Sequence, residues 1–223
     1  MPSNAYITFL HMRIDVLKLI ETHSFYTQNR RGRKNLGHLT RSAIVMLCAA
    51  WERYNEDLLL ESISYLAITI HDINLLPKEI RKLLSAKVKS DKNEIKPIEL
   101  AGDGWKTVWL NYAKQEAQLL NTPKSDKLKN LFSRYLGIAD FITFWRTGTS
   151  SNIDEFVSDR GDIAHNGNRA AYMRMDQLRK YQDLVVDNVI EVDSNMSLEL
   201  RRMTGLPNLP WIQDYSKDLQ YYR

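Results

Sequence analysis

The chain has 223 residues, 43% of them hydrophobic and 26% charged, with a net charge of +4. That is enough to bury one full core and ordinary for a folded protein, and the mild positive charge permits a polyanionic partner without demanding one. Nine glycines and six prolines are few for a turn-rich all-β chain, and the lone Cys48 excludes an intramolecular disulfide and a cysteine-based zinc cage.

The first residues, Met1-Pro-Ser-Asn-Ala-Tyr6, lack the basic start and apolar centre of a secretory leader. No run of about 18 apolar residues exists, so no membrane span is expected and a reducing, cytoplasmic setting fits. The first helical stripe is Tyr6, Phe9, Leu10, Arg13, Leu17 and Ile20. After it comes a basic cluster, Arg30, Arg31, Arg33 and Lys34, with His38 nearby. It reads either as a solvated loop or as a sequence-independent contact to RNA phosphates. A second helix runs from about Thr40 to Ile70 on the stripe Ile44, Leu47, Cys48, Trp51, Asn55, Leu58, Ser62 and Leu66. Cys48 reads there as a small buried hydrophobe. Glu52, Arg53, Glu56 and Asp57 lie off the stripe, with Arg53 and Asp57 spaced to pair.

An insertion follows over about 71–125, basic around Lys78 to Lys96 and punctuated by Pro77 and Pro97. It holds a short helix near Glu79 to Val88 and a second from Trp105 to Leu120, where Trp105, Val108, Trp109 and Tyr112 recur at helical spacing. Such aromatics read as core before they read as a base-stacking platform. The next helix opens with Asp126 as its cap and carries Leu128, Leu131, Phe132, Tyr135, Ile138, Ile142 and Trp145. Another opens near Ser150-Ser-Asn152, where Asn152 and Glu155 have capping-box spacing, and breaks at Asn166-Gly167-Asn168. A last long helix holds Met175, Leu178, Tyr181, Val185 and Val189. Trp211, Tyr215, Leu219 and Tyr222 then mark a short amphipathic appendage. No strand pattern rivals these, so the expected class is all-α with a helical-bundle core.

One helix breaks the rule of its own pattern. In Ile153-Asp-Glu-Phe-Val-Ser-Asp-Arg160-Gly-Asp-Ile-Ala-His165-Asn, the residues Ile153, Phe156, Val157 and Ala164 share a face with Arg160 at its centre. A charge there demands a partner, which from the sequence is Asp154, Asp159, Asp162 or Glu52 of the second helix. His165 lies about 7.5 Å further along the axis and about 140° round it, on a different face.

Two stretches resemble the HEPN superfamily of four-helix ribonucleases and RNA-binding proteins. One is Val157-Ser-Asp-Arg160-Gly-Asp-Ile-Ala-His165-Asn-Gly167, an R-x4-H element opening the last core helix. The other is Arg41-Ser-Ala-Ile-Val-Met-Leu-Cys-Ala-Ala-Trp51-Glu52-Arg-Tyr, which is similar to the second helix of the RiboL-PSP-HEPN and related defence-associated branches. The resemblance implies a HEPN-like bundle over residues 1–200 interrupted by the 71–125 insertion, with 201–223 as a C-terminal appendage. It further implies a homodimer, RNA as substrate, and cleavage without a metal or other cofactor. Arg160 and His165 would be catalytic, with Glu52, Asp159, Asp162 and Asn166 in support. A toxin or anti-phage effector with an antitoxin or defence-system partner is the implied setting.

The chain departs from the family pattern twice. Many catalytic members have a polar residue directly after the arginine, whereas here Gly161 intervenes and Asp162 follows. Either Asp162 or Asp159 serves in its place, or the chain is an inactive RNA-binding or protein-interaction module. One toxin branch has a tyrosine two residues after the histidine, where this chain has Gly167, so that mode of control is not carried over. The five histidines are scattered, without metal-ligand spacing, and neither a phosphate-binding glycine loop nor a nucleophile elbow occurs.

Overall fold

The computed structural model describes residues 1–27, 35–170 and 172–222. Among them are seven α-helices and no strand: α1 (Asn4–Thr27), α2 (Gly37–Thr69), α3 (Lys78–Lys89), α4 (Gly104–Ala117), α5 (Ser125–Leu136), α6 (Ser150–Asn166) and α7 (Met175–Thr204). The basic cluster Arg30, Arg31, Arg33 and Lys34 lies outside the described residues.

α2 is the central post. No glycine or proline interrupts it from His38 to Thr69, so nothing breaks its backbone ladder. It packs against α1, α4, α5, α6 and α7, which is why its buried set spreads beyond one stripe to include Ala43, Ala50, Tyr54, Leu59 and Ile63. Trp51, Tyr54, Phe9, Phe132, Phe141 and Phe156 are all fully buried. Each such burial stabilises by about 1.5–3 kcal/mol. A surface i,i+4 pair such as Arg53–Asp57, at 2.9 Å with only the arginine exposed, adds about 0.5 kcal/mol. The aromatic core therefore dominates the fold's stability. Trp105 and Trp109 belong to it, Trp109 donating from Nε1 to the Tyr135 carbonyl at 3.0 Å.

Four local expectations are corrected. Asp126 does not cap α5; it sits in the first turn. The helix start is satisfied from a distance instead, because Asp154 of α6 accepts from Ser125 N at 2.7 Å and Ser125 Oγ at 2.6 Å. The helix also does not run on to Trp145. It stops at Gly137, whose φ of 71° ends it in the left-handed conformation that glycine adopts freely. Beyond, the chain makes a short 3-10 turn, Phe141–Phe144, that stacks Phe141 on Phe132 at 3.7 Å. Asn152 forms no capping box, since α6 begins two residues earlier with Thr149 as its flanking residue. Finally, Ala164 is exposed and Ile163 is buried in its stead.

The C-terminal segment is a strap rather than a helix, ending in the 3-10 turn Leu219–Tyr222. It lies over α1 and α7: Tyr6 Oη donates to the Ser216 carbonyl at 2.9 Å, Arg13 to the Lys217 carbonyl at 2.8 Å, and Trp211 Nε1 to the Asp193 carbonyl at 3.1 Å. The fully buried Asp193 carboxylate gathers Ser3, Tyr54 and Tyr215, the last at 2.8 Å. Burial is the main cause that lifts its pKa to about 6, against the pull of those donors.

Candidate active site

α6 lies against α2, and the two enclose Arg160. Its Nη2 donates to Glu52 Oε2 at 3.3 Å and to the Asn121 carbonyl at 3.1 Å, and the Cys48 side chain adds to the electrostatic field on the guanidinium. Cys48 and Glu52 stand one turn apart on α2, so both face the same point on α6. Asn121 belongs to the loop before α5, which Trp51 pins by donating from Nε1 to the Pro123 carbonyl at 3.1 Å. Neighbouring residues Trp51 and Glu52 thus fix, respectively, the loop that touches Arg160 and Arg160 itself.

The electrostatics describe a tether rather than a clamp. Burial works to lower the pKa of Arg160, but Cys48 and Glu52 outweigh it, and the net displacement is upward. Glu52 is also displaced upward, because its burial exceeds the attraction of Arg160. A tight pair would pull the acid down. Both observations agree with the geometry, a single contact at 3.3 Å between side chains 25% and 23% exposed. Burial likewise pushes the Cys48 thiol up despite Arg160. One turn further along α2, Glu56 is raised to about 7 by burial and by the like charge of Glu52, with Arg53 opposing.

His165 is exposed near the C-terminal end of α6. No hydrogen bond links it to Arg160 or to any other described residue. The four supporting candidates separate. Glu52 touches Arg160. Asp159 is turned to α7, accepting from Tyr181 Oη at 2.5 Å. Asp162 accepts from Asn166 Nδ2 at 2.6 Å, an i,i+4 pair on the same helix. Gly161 faces open space, with nothing within 4 Å of where a Cβ would stand. Among the described residues, no three His, Cys, Asp or Glu side chains gather to hold a metal ion. No helix there is long and apolar enough to cross a membrane.

Two contacts escaped sequence reasoning. Cys48 was legible in principle, lying four residues before Glu52. The Asn121 carbonyl was not, because a backbone acceptor carries no residue signature.

The RiboL-PSP-HEPN family model matches residues 12–196. No curated protein and no solved structure matches the chain. The matched span runs from within α1 to within α7 and includes every element of the Arg160 site, and the chain belongs to this family of HEPN-type domains.

Proposed function

We propose that this protein is a metal-independent endoribonuclease acting as a homodimer, with Arg160 and His165 as its catalytic residues. The observation that carries the reading is the division of labour along α6. Arg160 is held by two acceptors, Glu52 and the Asn121 carbonyl, while His165 stands exposed and unpartnered five residues on. A guanidinium has five N–H donors, so donors remain for a phosphate, and the Arg160 side chain is still 25% exposed.

The chemistry follows from the side chains. His165 takes the proton from a ribose 2′-hydroxyl. The 2′-oxygen forms a bond to the adjacent phosphorus as the bond from phosphorus to the 5′-oxygen breaks. His165 of the partner subunit protonates the departing 5′-oxygen. The products are a 2′,3′-cyclic phosphate and a free 5′-hydroxyl. Arg160 stabilises the charge that gathers on the phosphoryl oxygens. A dimer is needed because, on one straight helix, the two residues face about 140° apart. Two α6 helices meeting face to face bring both kinds of group to one phosphate. The open space over Gly161 suits such an approach.

Family membership supports a role as a toxin or anti-phage effector acting on cytoplasmic RNA, restrained by an antitoxin or defence-system partner. A specific observation favours the alternative of an inactive RNA-binding or interaction module. The Arg160–Glu52 bridge holds α6 to α2 and gives the arginine a purely structural occupation. Labelled RNA and sequence-matched DNA incubated in excess chelator separate the two. RNA cut by the wild type and spared by His165→Ala, with DNA intact, supports the enzyme. Binding without cutting by both proteins supports the module.

A further inference from the structure

Beyond the Arg160 bridge, the same crevice opens into a groove of about 510 Å³ lined by His38, Arg41, Ser42, Val45, Met46, Ile163, Gly167 and Asn168. Cys48, Glu52 and Arg160 do not line it, but it adjoins them along both helices. Ile163 follows Arg160 by one turn of α6, and Val45 precedes Cys48 by one turn of α2, so the groove begins about 4.5 Å further along each helix. We propose that this groove is a substrate subsite that takes one unpaired nucleotide of the RNA strand, its base between the apolar walls and its phosphate on Arg41. The proposal rests on the ribonuclease reading above.

Shape and chemistry both point to a nucleotide. The volume falls in the range of small-ligand sites, about 300–1,000 Å³. Val45 and Met46 are partly exposed, at 36% and 37%, and with Ile163 they offer apolar surface to a flat ring. Ser42, His38 and Asn168 bring hydrogen-bonding groups to the lining for the base edge. No carboxylate is among the lining residues, and Arg41 has no ion-pair partner among the described residues. Its guanidinium lies over bare backbone: a methyl group at Gly37 would stand 3.1 Å from Arg41 Nη1 and 4.0 Å from the Tyr172 ring. Tyr172 is 68% exposed there. A cation within a polar-edged apolar slot, with an exposed aromatic ring outside the lining on the other side of Gly37, matches what single-stranded RNA offers. A second copy of the chain fits less well, because a two-fold axis through the groove would set Arg41 against its own counterpart.

The test walks a single abasic ribose through the positions flanking the mapped cut in a short RNA. Cleavage is measured in excess chelator, and binding by anisotropy. The wild type should show one position at which removing the base slows cutting and weakens binding roughly tenfold. Met46→Asp should be roughly tenfold slower on intact RNA and should lose that positional penalty, with helicity and sedimentation unchanged. Arg41→Ala should lower the salt slope of binding by about 0.7, the loss of one single-strand phosphate contact. A uniform response to the abasic walk, or a penalty that persists in Met46→Asp, overturns the subsite while the nuclease reading stands. So does a Met46→Asp protein that falls to monomers and fails on intact and abasic RNA alike, which would make the groove an interface between copies. A wild type that binds but never cuts defeats the nuclease reading, and the binding arm still decides the groove. A wild type that does neither defeats both.

Discussion

Glu52→Gln separates a structural Arg160 from a working one. The carboxylate lies 3.3 Å from the guanidinium, with both side chains about a quarter exposed. At an effective dielectric of about 20, the bare attraction at that distance is about 5 kcal/mol. Desolvation of two partly buried ions offsets most of it, and a single-contact pair of this exposure nets about 1 kcal/mol. Burial already holds the Glu52 carboxyl above its usual pKa, so removing its charge also relieves a penalty. Glutamine keeps the size and an acceptor oxygen. The fold should therefore lose at most about 1 kcal/mol, or about 2–4 °C in Tm for a chain of this length. Catalysis should suffer more, because an arginine freed to turn leaves the phosphoryl oxygens, and a misplacement near 1 Å costs about 100-fold. We expect RNA cleavage to drop about 10- to 100-fold, mainly in kcat, with helicity intact. Thermal melting and single-turnover cleavage on the same preparation give both numbers. Unchanged cleavage, or a loss no larger than the unfolded fraction accounts for, would refute the tether.

Glu56 ties stability to pH. Its folded pKa of about 7 against an ordinary 4.5 means the folded state holds the proton more tightly. The contribution is full below about pH 4.5 and is lost as pH rises through 7, amounting to at most about 3 kcal/mol. Urea titrations from pH 5 to 8 should show Glu56→Gln falling less steeply than wild type; parallel curves would contradict this. Gly161→Ala should stabilise the isolated protomer by about 1 kcal/mol, as expected for a helix interior with open space at the Cβ. The same variant should weaken dimerisation in sedimentation equilibrium, and an unchanged dimer constant would remove α6 from the interface. Asp193→Ala removes the acceptor of the Ser3 and Tyr215 hydroxyls, while Tyr54 keeps the Val189 carbonyl at 3.1 Å. It should destabilise by about 3 kcal/mol or more in urea titration, whereas a loss under 1 kcal/mol would show that the strap and the first turn hold without it.

The long helices were readable because their residues repeat at the spacing their packing demands. α2 carries its stripe from Ile44 to Leu66 with no breaker, and α7 does the same from Leu178 to Val189. What failed to show was satisfied across the chain. Ser125 takes its cap from Asp154, 29 residues away, so the local pattern pointed wrongly to Asp126. The apolar stripe continues past Gly137, yet its part through Ile138 and Trp145 is completed by a turn rather than by more helix. At the site, the misfit of Arg160 on an apolar face announced that a partner was needed. Four acids were eligible by reach, and only the packing of α6 on α2 selects Glu52. The groove around Arg41 left no trace in the sequence, because its walls come from residues that read as ordinary members of two separate helices.

The central claim is that His165 drives attack by a ribose hydroxyl on a phosphate steadied by Arg160. An RNA carrying one 2′-deoxyribose immediately 5′ of the mapped cut tests it most directly, run in excess chelator beside the all-ribose strand and probed for a 2′,3′-cyclic phosphate. The account predicts a cyclic end on the all-ribose product, no cut at the substituted position, and no cut of either strand by His165→Ala or Arg160→Ala. Cleavage that persists at the deoxyribose, or that survives in either alanine variant, would contradict it.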